Sequence, residues 1–147
     1  MGQELKVDVC IIGAGAGGLS VAAAAAQLKL KTIVIEQGKM GGDCLNYGCV
    51  PSKALLHAAS VVAQKTSPGF GFGAARGKVD FTAVTDYLRK VIATIAPHES
   101  VERIERLGVS VFQEQARFLD TTRVAAGNVV IKARRFVVAT GSRPHIP

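Results

Sequence analysis

The apolar positions of this chain fall into runs whose length and spacing change along it, and each change marks an element. Val7-Asp8-Val9-Cys10-Ile11-Ile12 is nearly continuous, the pattern of a strand buried on both faces. It leads directly into Gly13-Ala14-Gly15-Ala16-Gly17-Gly18. Leu19 to Leu28 follows, an alanine tract that reads as a helix slim enough to pack closely on a sheet. Lys31-Thr32-Ile33-Val34-Ile35-Glu36 is a second strand, ending in an acid. Helix is expected again from Pro51 to about Gln64, then a loop over Thr66 to Gly73 marked by its Gly and Pro content. Phe81 to Leu107 reads as helix, broken or kinked at Pro97 and stopped at Gly108. From Val109 the runs shorten to strand length: Val109–Phe112, Ala116–Phe118, Asn128–Ile131 and Arg135–Thr140, the last entering Gly141-Ser142. The expected fold is α/β, a parallel sheet with helices plus a small antiparallel β segment, within one domain over residues 1–147.

Composition narrows this picture. At 147 residues with 48% hydrophobic content, the chain can bury a real core and is not of disordered type. Its formal charge of +7 is carried mostly beyond residue 60 and is scattered, with 5% aromatics and no Trp. A nucleic-acid surface would show a basic stripe or aromatics placed for stacking, so no nucleic-acid partner is expected. Val7 to Leu28 is apolar enough to resemble a signal-peptide core. Asp8 and the glycines inside it, and the mixed charge of residues 1–6, argue against both a signal and a membrane span. Three cysteines, two of them spaced for redox work, suit a reducing cytoplasm.

Two stretches carry chemistry. In the first, Gly13 permits a tight turn, Gly15 lets a pyrophosphate approach the backbone, and Gly18 allows close helix–strand packing. The phosphate would lie on the helix N-terminus, at the N–H groups beginning with Ala16 and Gly17. Glu36 can accept hydrogen bonds from an adenosine ribose and would repel a 2′-phosphate. With a strand before it and a helix after it, this turn reads as a dinucleotide site. The second stretch is Gly41-Gly42-Asp43-Cys44-Leu45-Asn46-Tyr47-Gly48-Cys49-Val50-Pro51-Ser52-Lys53. Across an intact helix the two cysteines would lie ~7.5 Å apart along the axis, too far for a disulfide, so a bridging pair requires an irregular turn. Asn46 and Gly48 supply the backbone freedom for one. Pro51 suits the first position of the helix that follows, which would put Cys49 at a helix N-terminus, where a thiolate is favoured. Other readings of the pair are two inert buried thiols, or a zinc site of Cys44, Cys49 and His57 with no evident fourth ligand. Cys10, inside an apolar run, reads as core. His57, His98, Glu99 and the charges of 102–106 read as structural or as a solvated helix face.

Gly13-x-Gly15-x-x-Gly18, Glu36, the Gly41–Lys53 signature and Ala139-Thr140-Gly141 together resemble the FAD-dependent pyridine nucleotide-disulfide oxidoreductases. The resemblance covers essentially the whole chain. Ser52 with Ala54-Leu55-Leu56 is similar to the dihydrolipoamide dehydrogenase and mercuric reductase branch, as is Pro97-His98-Glu99-Ser100. It implies a Rossmann-like FAD-binding domain in which electrons pass from NAD(P)H through FAD to a Cys44–Cys49 disulfide. The final acceptor would be a small-molecule or protein-bound disulfide, or a metal ion. Cys44 would be the interchange thiol and Cys49 the charge-transfer thiol beside the flavin, with Lys53 near flavin N5. Gly42, Asp43 and Cys44 would line the pyrophosphate and flavin, Ala116 would meet the adenine, and Thr140 and Gly141 would close the cleft. Asp43 stands where some members have threonine, which removes a hydroxyl contact. Family members are much longer, with nicotinamide-binding and dimerisation domains and a homodimeric assembly. The chain therefore corresponds to their N-terminal portion, and full turnover by these residues alone is not expected. A reading from another class remains beside it: a non-catalytic nucleotide-binding module with structural or redox-switch cysteines.

Overall fold

The computed structural model describes residues 3–66, 78–142 and 145. The loop expected after Thr66 lies outside the described residues. Six strands, β1 (Gln3–Ile12), β2 (Thr32–Ile35), β3 (Ser110–Phe112), β4 (Ala116–Phe118), β5 (Arg123–Ala126) and β6 (Val129–Val138), form one sheet in the order β3-β2-β1-β6-β5-β4. The β3, β2, β1 and β6 pairings are parallel, and β4 and β5 add an antiparallel edge.

Two apolar layers hold this sheet. One gathers Cys10, Ile33, Ile35, Val124 and Ile131, and the other Ile11, Val34, Leu19, Ile104 and Val109. Ile11, Val34 and Ile131 are fully buried, each contributing roughly 1.5–3 kcal/mol relative to exposure. β1 feeds both layers through a bulge at Asp8. The N–H groups of Asp8 and Val9 both donate to the Lys31 carbonyl, at 2.8 and 3.2 Å, which turns Val7 and Cys10 to the same layer. Helix α1 (Ala16–Gln27) lies on the sheet through Gly18, Leu19, Ala22 and Ala25, a helical stripe of mostly small residues.

The cysteine stretch is two helices, α2 (Gly42–Asn46) and α3 (Cys49–Thr66), broken at Tyr47-Gly48. The N–H groups of Tyr47 and Gly48 both turn back onto the Asp43 carbonyl, at 2.8 and 2.6 Å. α3 starts at Cys49, two residues before the expected first position at Pro51. Proline is accommodated there because the first helical N–H bond, Ser52 to the Gly48 carbonyl (3.0 Å), comes after it. The expected helix 81–107 is three pieces: α4 (Phe81–Ile95), a 3-10 turn (Ala96–Glu99) carrying Pro97, and α5 (Val101–Glu105). Asp80 caps α4 through the Thr82 and Ala83 N–H groups, and Ser100 caps α5 through that of Arg103. Gly108, at φ +85°, ends this segment as expected.

The C-terminal strands differ most from expectation. Asn128–Ile131 and Arg135–Thr140 are one strand, β6, whose Lys132 and Arg134 point outward while Ile131 and Ala133 are buried. β5 was not expected. Its alternation, Val124 and Ala126 in and Arg123 out, and the Gly127-Asn128 turn with Gly127 at φ +54°, are its signals.

Burial without a hydrogen-bond partner in the core pushes the Cys10 thiol from its ordinary value of 9.0 up to about 12. The folded chain therefore keeps this thiol protonated where the unfolded chain ionises it, and stability falls as pH rises through that window. The difference in unfolding free energy between wild type and Cys10→Ala, followed by urea denaturation, should shrink by about 1 kcal/mol between pH 9 and 10, and by about 3 kcal/mol in all by pH 12.

Candidate functional site

The carboxyl ends of β1, β2 and β6 meet at the glycine turn. Gly13, at φ +104°, donates its N–H to the Ile35 carbonyl (2.8 Å), and a Cβ there would run into the Ala139 carbonyl. Gly18 stands against the Gly13 carbonyl and Ile11 Cγ2, so α1 leaves the turn in direct contact with β1. Gly15 precedes α1 and offers no side-chain cap, and the first turn of α1 holds no acid. The leading N–H groups of the helix thus keep their donor capacity for a ligand.

The sequence does not reveal how this turn meets the cysteines. Gly15 and Gly41 form an isolated parallel bridge, and Gly41 donates its N–H to the Ala14 carbonyl (2.9 Å). A Cβ on Gly42, at φ +56°, would come within 2.8 Å of the Gly15 Cα. Asn46 steadies the same turn by donating Nδ2 to the Met40 and Gly42 carbonyls, at 3.0 and 2.8 Å. Glycine on both sides lets two backbones touch, so the phosphate-type turn and the cysteine helix share one wall.

That wall encloses a cleft of about 520 Å³. Among the expected site residues, Gly15, Ala16, Gly17, Glu36, Gly42, Asp43, Cys44, Thr140 and Gly141 line it. Gly13 and Ala116 line an adjoining hollow of about 170 Å³, which shares Glu36 and Thr140 with the cleft. Gly18 lies behind the turn. Cys49 and Lys53 are exposed and do not line the cleft. Gln37, Lys39 and Ser142 line it without having been expected. Lys39 also stands 5.5 Å from the Tyr47 ring centroid, a cation–π contact at the cleft's mouth.

Glu36 is held in place by its backbone surroundings. Oε2 accepts from the Ala14 N–H at 2.6 Å and Oε1 from the Gly38 N–H at 2.7 Å. Cys44 and Cys49 are both free thiols, brought together by the helix break, with Cys49 the more exposed. The Cys44 thiol is pushed above its ordinary value, first by its hydrogen bond to the Cys49 side chain, then by partial burial and by the negative charges of Cys49 and Glu99; the Cys49 N–H acts in the opposite sense. Glu99 corrects the sequence reading: it is half-buried against Gly41, not part of a solvated face. Its position depends on the turn at Pro97, which periodicity does not resolve. Among the described residues, no three His, Cys, Asp or Glu side chains converge as a metal-ligand set, and no helix is long and apolar enough to cross a membrane.

Residues 7–147 match the family described as pyridine nucleotide-disulphide oxidoreductase. A mercuric reductase of Lysinibacillus sphaericus is 33% identical over 146 residues, covering 99% of this chain and 27% of that protein. A dihydrolipoyl dehydrogenase of Chlamydia muridarum is 38% identical over 142 residues, covering 93% of this chain and 30% of its own. The chain thus spans less than a third of the length of these relatives. A solved structure of the Escherichia coli flavoprotein disulfide reductase RclA, as a Cu(II) complex, shares the fold with a TM-score of 0.76 at 22% identity, over 95% of this chain and 29% of that one.

Proposed function

Because the chain belongs to the pyridine nucleotide-disulphide oxidoreductase family, we propose that it is the FAD-binding, disulfide-bearing portion of an NAD(P)H-dependent reductase. The acceptor is a disulfide of the lipoamide kind or a metal ion, and the complete protein works as a homodimer in the cytoplasm. One observation carries this reading: the Gly15–Gly41 bridge, which puts Cys44 on the wall of the same cleft as the uncapped α1 N-terminus and Glu36.

FAD fits the residues present. Glycine at 15 and 42 lets the two backbones touch and leaves the cleft wall as bare main chain, and the α1 N–H groups suit a pyrophosphate. The Glu36 oxygens each spend one lone pair on a backbone N–H and retain another for ribose hydroxyls. The hollow lined by Ala116 and Thr140 suits the adenine, and Gly141 lines the adjoining cleft. Bound there, FAD supplies the two-electron carrier between a nicotinamide and the cysteine pair. Lys53 and Asp43 are assigned to its flavin and pyrophosphate ends by their places in the signature.

The cysteines perform thiol–disulfide exchange. Deprotonated Cys44 attacks one sulfur of the substrate disulfide, releasing one thiol and forming a mixed disulfide. Cys49 then attacks the Cys44 sulfur, releases the second thiol and leaves the Cys44–Cys49 disulfide. Two substrate thiols are gained for two protein thiols lost, so the pair must be re-reduced each cycle.

Titration of the chain with FAD, followed by flavin fluorescence, should saturate at one equivalent. Glu36→Ala should weaken binding about ten- to a hundredfold, because it strips hydrogen bonds from the ribose and leaves the Ala14 and Gly38 N–H groups unpaired. A folded protein that ignores FAD would sink this reading.

A further inference from the structure

Glu99 behaves unlike the charged residues around it. His98, Glu102, Arg103, Glu105 and Arg106 are exposed, whereas Glu99 is half-buried at the end of the Pro97 turn. Its Oε2 occupies the space a Cβ on Gly41 would take, with the Leu45 side chain filling the other side of that space. Among the described residues no cation pairs with this carboxylate. Gly41 is the residue before α2, so the charge stands at the start of the helix whose third residue is Cys44. Cys49 from α3 hydrogen-bonds to Cys44 directly, and Asp43, Tyr47, Glu36 and Lys39 line the same cleft as Cys44.

We propose that Glu99 is a positioning residue: it packs the Gly41 turn and sets a negative charge at the start of the short helix that carries Cys44, where it opposes formation of the Cys44 thiolate until substrate is in place. The consequence rests on the reading of Cys44 as the attacking thiol. The electrostatic claim stands without it, and needs neither FAD nor turnover to be tested. Oxidation follows thiolate character, so a protonated resting Cys44 resists adventitious oxidation. Once deprotonated, a thiol of higher pKa is intrinsically the stronger nucleophile. The Cys44 thiol is displaced upward first by its hydrogen bond to the Cys49 side chain and then by burial, with the Glu99 charge the last of the effects acting in that direction.

The test is the pH profile of Cys44 alkylation by iodoacetamide in reduced protein carrying Cys49→Ser, read by mass spectrometry. Adding Glu99→Gln should move the midpoint down by about half a pH unit and speed alkylation at pH 7 by about twofold, the gain in thiolate being partly offset by its lower nucleophilicity. Glu99→Asp, which keeps the charge, should retain most of the parent profile, and Glu102→Gln, which neutralises an exposed neighbour, should leave it in place. A Glu99→Gln profile superimposed on the parent overturns the proposal, as does a Glu99→Asp profile displaced as far as that of Glu99→Gln. Loss of FAD binding with the alkylation shift intact would instead overturn the proposed function and leave the role of Glu99 standing.

Discussion

Gly18→Ala should cost about 4 kcal/mol or more, while Gly17→Ala, one residue earlier on the same helix, should cost nothing. A Cβ on Gly18 would overlap the Gly13 carbonyl oxygen and press on Ile11 Cγ2 at 3.3 Å. Neither neighbour can yield cheaply. The Gly13 carbonyl belongs to a turn already tied to β2 through its N–H and wedged against Ala139, and Ile11 is fully buried. Gly18 does not sit at a positive φ, so the penalty is one of space and not of backbone conformation. A Cβ on Gly17 would meet nothing within 4 Å, and alanine in a helix gains up to about 1 kcal/mol over glycine. Against a typical total stability of about 5–15 kcal/mol, the first substitution removes much of the fold and the second none. Urea and thermal unfolding of the two proteins side by side checks this. A Gly18→Ala chain that melts with the wild type would mean that α1 does not lean on the turn as closely as described.

Under the proposed function the two sulfurs act as a unit, so either cysteine of the pair, replaced by serine, should lower disulfide reduction by the full-length reductase about a thousandfold or more. The chain itself offers a sharper reading. Native reduced protein should show two accessible thiols to a colorimetric reagent, with Cys10 appearing only on unfolding, because it is buried and its thiol is pushed up to about 12. A disulfide-forming oxidant should remove both accessible thiols together by closing Cys44 onto Cys49. With a model disulfide, Cys49→Ser should accumulate a stable mixed disulfide at Cys44, because the resolving sulfur is gone. Cys44→Ser should accumulate far less. Cys49 is the more exposed sulfur, so exposure alone favours the opposite outcome, and accumulation mainly in Cys44→Ser would reverse the assigned roles.

What could be read ahead of the structure was whatever depends on neighbours in the chain. The β1–turn–α1–β2 unit follows from an apolar run, spaced glycines and an alanine tract. The break between Cys44 and Cys49 follows from Gly48, and the interruption near Ala96 from Pro97. β5 and the continuity of β6 were missed because their buried positions alternate with Arg123, Lys132 and Arg134, whose charges dilute the apolar signal. The Asp8 bulge was invisible for another reason: the surrounding run is apolar at nearly every position, so no face can be assigned. The Gly15–Gly41 bridge and the approach of Glu99 to Gly41 join residues far apart in sequence. Only the packing of the whole sheet brings them together.

The pairing of β1 with β6 also governs when this fold can exist. Of these six strands β1 is synthesised first and β6 last, with Asp8 and Arg134, in contact across them, separated by 126 positions. At about 5–20 residues per second, a nascent chain holds β1 for roughly 6–25 s before its partner emerges. β2 can dock on one side of β1 early, through the short α1 crossover, but the other side presents unpaired N–H and C=O groups along an apolar strand. Closing that pair carries the largest loop-closure cost of the strand pairings, because it spans the longest stretch of chain. During synthesis, the exposed flank of β1 is the surface that a chaperone would cover, or along which two nascent chains would aggregate.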